Sequence, residues 1–219
     1  MQDDDTGGTA PCFAHALVHG HVVDRETWRD VSRFRAAERV RLLGLRRAMT
    51  QADREAQTRH VTQSLDALLG DVAGRTIAVW WPIRGELDLR GWMADAHARG
   101  AGIALPAVVA KNLPLAFRRW TPGCAMTRGI WNIPVPEPAE TVVPDIVLAP
   151  LLGVDAEGYR LGNGGGYYDA TLAAMPALPR LVGIGQGFCA IPTIYPQPWD
   201  VPMDVVLLGE GRVLAFRPA

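Results

Sequence analysis

The stretch Gly158-Tyr159-Arg160-Leu161-Gly162-Asn163-Gly164-Gly165-Gly166-Tyr167-Tyr168-Asp169 carries the residue types best suited to chemistry. Gly162, Gly164, Gly165 and Gly166 let the backbone take positive φ and approach a ligand closely. A helix starting near Tyr168 points its free amide N–H groups and the positive end of its dipole back at that loop, which favours a phosphate. Arg160 adds a guanidinium able to grip two phosphate oxygens at once. Two nucleotide motifs are excluded. A P-loop needs Gly-Lys-Ser/Thr, which does not occur, and the dinucleotide fingerprint needs glycine where Tyr167 stands. Three of the four tyrosines (Tyr159, Tyr167, Tyr168) fall within ten positions, as expected of amphipathic rings lining a cleft. The plainer reading of the same residues is a strand-to-helix turn with its tyrosines packed in the core.

Few other residues stand out by type. Lys111 is the only lysine among 22 basic side chains, so any cationic chemistry elsewhere falls to arginine. Asp169 and Asp200 read locally as a helix-cap acid and a loop acid, and Glu86 as a turn carboxylate. Cys12, His15, His19 and His21 cluster near the start, but their spacing matches no standard metal site. The three cysteines are odd in number and far apart, which argues against a disulfide framework.

The elements that must position these residues follow from the hydrophobic pattern. Residues 1 to 25 read as an irregular arm, and residues 26–219 as a single α/β domain. Glu26 to Met49 fits an amphipathic helix. Thr50 then caps a second helix with Asp53 in its first turn, ended by Gly70 and Gly74. Thr76 to Trp81 reads as a buried strand closed by Pro82, Leu89 to Arg99 as a helix, and Ile103 to Leu105 as a strand ended by Pro106. Strands follow at Leu115 to Trp120, Asp145 to Ala149, Leu181 to Gly185 and Val205 to Leu208, with a helix over Tyr168 to Met175. Strands alternating with helices imply a mainly parallel sheet covered on both faces, with antiparallel pairing open for Leu115 to Trp120 and for the C-terminal end.

Composition bounds the partners. The formal charge of −1 gives no general grip on nucleic acid or an anionic membrane. No apolar run approaches the roughly 20 residues of a membrane span. The acidic opening lacks the pattern of a signal peptide, so a cytoplasmic location is expected.

RLGNGGGYYD, preceded by DIVLAPLLGVDAEGY, resembles the signature of the 5-formyltetrahydrofolate cyclo-ligases. Asp145, Pro150, Asp155, Gly158 and Arg160 to Asp169 match it in order. The likeness extends to Pro82 through Asp88, to Trp131-Asn132-Ile133-Pro134, and to Trp199-Asp200 and Met203-Asp204-Val205, covering about residues 35 to 208. It implies a three-layer α/β/α sandwich with N-terminal helices, acting on a small folate substrate. The implied reaction transfers the γ-phosphoryl group of ATP to the formyl oxygen of 5-formyltetrahydrofolate, and ring closure then gives 5,10-methenyltetrahydrofolate, ADP and phosphate. Arg160, Asn163 and Tyr168 would stand at the reacting groups. Residues 160–168 would hold ATP together with Arg35 and Arg39, which occupy places where the family usually has a lysine and an arginine. Glu86, Tyr167 and Tyr168 would contact the folate, and Asp169 and Asp200 would ligate Mg²⁺. The chain departs from the family at Arg35, at Asn163, where a large cationic or aromatic residue is common, and at Ala170 and Leu208. These departures leave a second reading open: a cyclo-ligase-like paralogue binding nucleotide or a pterin without turnover.

Overall fold

The computed structural model describes residues 15–111, 113–137 and 139–216; Cys12 lies outside them. The arm expected to be irregular forms a hairpin from His15, with β1 (His15–Val18) paired antiparallel to β2 (His21–Asp24). His19 and Gly20 join the strands with φ of 47° and 81°, the twist that two-residue hairpin turns require. Strands of four residues carry too little alternation to stand out in sequence. Asp24 then caps α1 (Arg25–Ala48), accepting from the Thr27 N–H at 2.8 Å. Thr50 caps α2 (Gln51–Leu69) as its sequence implies, its hydroxyl accepting from the Asp53 N–H.

The remaining elements are β3 (Thr76–Ala78), α3 (Arg90–Ala98), β4 (Gly102–Val108) and β5 (Leu115–Trp120). A short hairpin absent from the sequence reading follows, β6 (Met126–Arg128) with β7 (Pro134–Pro136). Then come β8 (Ile146–Pro150), β9 (Gly153–Val154), β10 (Arg160–Leu161), α4 (Tyr167–Ala174), β11 (Arg180–Gly185), β12 (Val205–Leu208) and β13 (Arg212–Ala215).

Seven strands form the central sheet in the order β13-β12-β11-β8-β3-β4-β5. The inner five are parallel, and β5 and β13 close the two edges antiparallel. Strand β4 runs through Pro106 instead of ending at it. The β3–β4 ladder reaches as far as the bond from the Val79 N–H to the Ala104 carbonyl, and Pro106 lies at its end.

Strict alternation makes the three layers. Ile77, Ile103, Leu105, Ile146, Leu148, Val182, Ile184, Val205 and Leu207 face α2 and α3, packing with Val61, Leu65, Trp92 and Met93. Ala78, Ala104, Val147, Ala149, Leu181, Val206 and Leu208 face the other way, against Leu172 of α4 and Phe117. The α3 crossover out of β3 therefore lies on one face and the α4 crossover out of β8 on the other. β3 and β8 are neighbours, so the chain leaves their carboxyl ends in opposite directions. This is the crevice where open α/β sheets bind ligands.

Candidate active site

A cavity of about 840 Å³ opens at that crevice. Trp80 and Trp81, just past β3, and Pro150, at the end of β8, form its floor. All fourteen sequence-derived site residues line it: Arg35, Arg39, Glu86, residues 160–168, Asp169 and Asp200. The tertiary structure thus draws together segments from α1, the turn after β3, the glycine loop and the loop before β12.

The glycine loop is shaped by arginine. Arg39 Nε donates to the Gly162 carbonyl at 2.8 Å. Its guanidinium lies flat over Gly164, where a Cβ would sit 3.4 Å from Arg39 Cζ and the backbone has φ of +98°. Gly166 takes φ of 64° as the cap of α4 and offers no side chain, so the first amides of that helix stay open. Burial, and then the neighbouring Arg35 charge, lower the pKa of Arg39. Among the described residues no carboxylate pairs with Arg39, which leaves a partly desolvated cation over the glycine loop.

Arg160 sits below the loop. Nη2 donates to Asp169 Oδ2 at 2.8 Å, and the guanidinium stacks 5.1 Å from the centre of the Tyr168 ring. The residue is 8% exposed, yet its Nε has no hydrogen-bond partner within the protein. A buried unpaired donor of this kind is costly unless a ligand meets it. Burial raises the pKa of Tyr168, so its phenol stays protonated and serves as a hydrogen-bonding group, not a base. Tyr167 stands edge-on to Trp131 with ring centres 5.3 Å apart, and Trp131 is held at the tip of the β6–β7 hairpin with φ of 57°.

Glu86 forms the opposite wall. Its Oε2 accepts from the Ile83 N–H at 3.0 Å, and Arg46 Nη1 lies 3.7 Å from Oε1. Arg46 is itself anchored, donating to Gln186 Oε1 and to the Leu151 carbonyl. Burial raises the pKa of Glu86 against the weaker pull of the Ile83 amide, Arg46, Trp80 and Asn163. A carboxyl whose folded pKa exceeds its unfolded value of 4.5 holds its proton more tightly in the native state, so stability falls as pH rises through that window. Glu86→Gln should remove this contribution. The difference in Tm between wild type and variant should be flat below pH 4.5 and change as the pH rises above it. A difference independent of pH would show that Glu86 is not desolvated.

Asp169 and Asp200 were expected to take a metal, and the structure gives both an additional occupation. Asp200 receives Arg35 Nη1 and Nη2 on its two oxygens and the Gln197 N–H on one of them. Asp169 receives Arg160 and the Val201 N–H. Among the described residues, no group of three or more His, Cys, Asp and Glu could hold an ion. Two carboxylates beside the glycine loop nevertheless suit Mg²⁺ in their donor chemistry, since that ion binds one or two carboxylates plus phosphate oxygens and water. Arg35, placed with ATP by the family likeness, spends its guanidinium on Asp200 and on the Ile194 and Tyr195 carbonyls. It braces the site instead of offering free donors.

Sequence reasoning missed several wall residues: His19, Trp28, Trp80, Trp81, Arg84 and Trp199. Five of the seven tryptophans line this one cavity, a concentration that composition alone does not localise. The motif acids Asp145, Asp155 and Asp204 lie elsewhere and accept backbone N–H groups of Thr76, Tyr159 and Leu181.

Residues 31–209 match the model of the 5-formyltetrahydrofolate cyclo-ligase family. The 5-formyltetrahydrofolate cyclo-ligase of Mycolicibacterium smegmatis is 31% identical over 195 residues, spanning 84% of this chain and 98% of the relative. The enzyme of the same name from Escherichia coli K12 is 26% identical over 171 residues, spanning 74% and 93%. The solved 5,10-methenyltetrahydrofolate synthetase of Aquifex aeolicus superposes with a TM-score of 0.72 at 28% identity, covering 84% of this chain and 94% of its own. The 5,10-methenyltetrahydrofolate synthetase of Mycoplasma pneumoniae, 24% identical, shares the fold with a TM-score of 0.64 and coverage of 78% and 96%.

Proposed function

This chain belongs to the 5-formyltetrahydrofolate cyclo-ligase family, and from that membership we propose how its cavity performs the ring closure. The reaction converts 5-formyltetrahydrofolate and ATP into 5,10-methenyltetrahydrofolate, ADP and phosphate. The formyl oxygen takes the γ-phosphoryl group as ADP leaves. The folate's second amine nitrogen then attacks the activated carbon, and phosphate departs with that oxygen.

No protein nucleophile is needed, so the residues contribute position and charge. Arg39 and the amides of the glycine loop hold the triphosphate. Arg160, with its open Nε and its stack on Tyr168, stands where charge moves during transfer. Asn163 and the neutral Tyr168 phenol orient the formyl group. Glu86 accepts from the pterin's N–H groups, and Tyr167 covers its ring. Asp169, with Asp200 beside it, would hold Mg²⁺, which when bound offsets negative charge on the phosphates. No described helix is long and apolar enough to cross a membrane.

The observation that supports this reading best is the half-buried Arg39, with no carboxylate partner among the described residues, and the buried Arg160, with its open Nε, around the glycine loop at the sheet's switch point. The test is turnover: purified protein, 5-formyltetrahydrofolate and Mg-ATP should yield the methenyl product and one ADP for each ring closed. Folded protein that binds ATP without forming product would instead support the paralogue reading.

A further inference from the structure

The family match begins at residue 31, yet one wall of the cavity comes from upstream. His19, at the tip of the β1–β2 hairpin, lines the cavity. Its imidazole Cε1 is 3.7 Å from the position a Cβ would take on Gly166, the residue that opens α4. The same ring packs 5.1 Å from Trp199, which Trp28 also meets edge-on at 5.2 Å. His21 approaches Trp199 as well, at 5.7 Å, so the hairpin is seated on this indole and presents His19 to the loop.

His19 takes φ of 47°, a conformation in which asparagine is the more favoured residue. Arg39 already lies over the same loop at Gly164, so a donor on His19 adds to that charge. Arg35 is committed to Asp200, and Arg160 to Asp169, while the buried Arg160 Nε remains open toward an anionic ligand.

We propose that His19 is a ligand-contacting residue that this chain adds to the family cavity, its imidazole N–H donating to the phosphate chain of ATP at the start of α4. This rests on the nucleotide placement given above. A donor there joins the open amides of α4 and the Arg39 guanidinium on one anion, and it needs no change in the reaction.

His19→Asn tests it in the full chain, because asparagine suits the left-handed turn and keeps the hairpin while removing the imidazole. The KM for ATP should rise about tenfold, the loss of one hydrogen bond to a charged group. The KM for 5-formyltetrahydrofolate and the Tm of the ligand-free protein should stay within error of wild type. ATP affinity measured by calorimetry without folate should fall in parallel. An unchanged KM for ATP overturns the proposal, as does an equal rise for both substrates, which would mean that the hairpin merely shapes the cavity. Wild-type protein lacking turnover would fail the functional reading instead, and the calorimetric comparison would still decide whether His19 meets the nucleotide.

Discussion

Asp200→Ala is expected to lower the free energy of unfolding by about 3–5 kcal/mol, the usual cost of stripping one partner from a buried ion pair. The side chains of Arg35 and Asp200 are each 8% exposed. Removing the carboxylate leaves the guanidinium with only the Ile194 and Tyr195 carbonyls. The loop before β12 would also lose the Gln197 amide's acceptor, and with it the tie between α1 and Trp199. In a chain of this length the Tm should drop by roughly 6–20 °C. Urea unfolding of Asp200→Ala, Arg35→Ala and the double variant gives the decisive comparison. The double variant should be clearly less destabilised than the sum of the singles, because neither charge is then left unpaired. Additive losses would mean that the pair contributes nothing as a pair. Arg35→Lys should not substitute well, since an ammonium cannot reproduce the two-oxygen fork.

Asp169→Asn should reduce turnover at least 100-fold, on the scale of losing one electrostatic stabiliser of a transferring group. Two effects combine. The variant removes a charged oxygen beside the glycine loop, and it releases Arg160 from its contact with that carboxylate. Magnesium dependence separates them. If Asp169 helps to hold the ion, the Mg²⁺ concentration for half-maximal rate should rise in the variant, and excess Mg²⁺ should restore part of the activity. If the carboxylate serves only to position Arg160, the rate falls with unchanged Mg²⁺ dependence. Circular dichroism should show the fold retained, since the Val201 N–H still finds an oxygen on asparagine. Full activity in the variant would remove Asp169 from the reaction altogether.

Much of this molecule is legible in its residues because the signals are local. The short unbroken apolar runs at Ile146–Pro150 and Val205–Leu208, bounded by proline or glycine, have the length and composition of strands covered on both faces. Thr50 and Asp53 announce the start of α2, and the cap is formed as written. The glycine loop declares its own shape, since Gly164 and Gly166 take the positive φ that other residues avoid. Other elements were obscured by context. Pro106 reads as a stop, but a proline is harmless where a strand outruns its neighbour. The β6–β7 hairpin has three-residue arms rich in proline, below any useful periodic signal.

What the sequence by itself determined is therefore the layered α/β class and the glycine loop between β10 and α4, along with the set of polar residues that surround it. Each depends on interactions spanning a few positions. What only the tertiary structure decided is which cation meets which anion. Arg35 and Asp200 are 165 residues apart, and Arg46 of α1 faces Glu86 from the turn after β3. Coulomb attraction depends on separation in space, and the fold alone sets that separation. The same is true of His19, a hairpin residue with no motif around it, which the packing of Trp199 delivers to the mouth of the glycine loop.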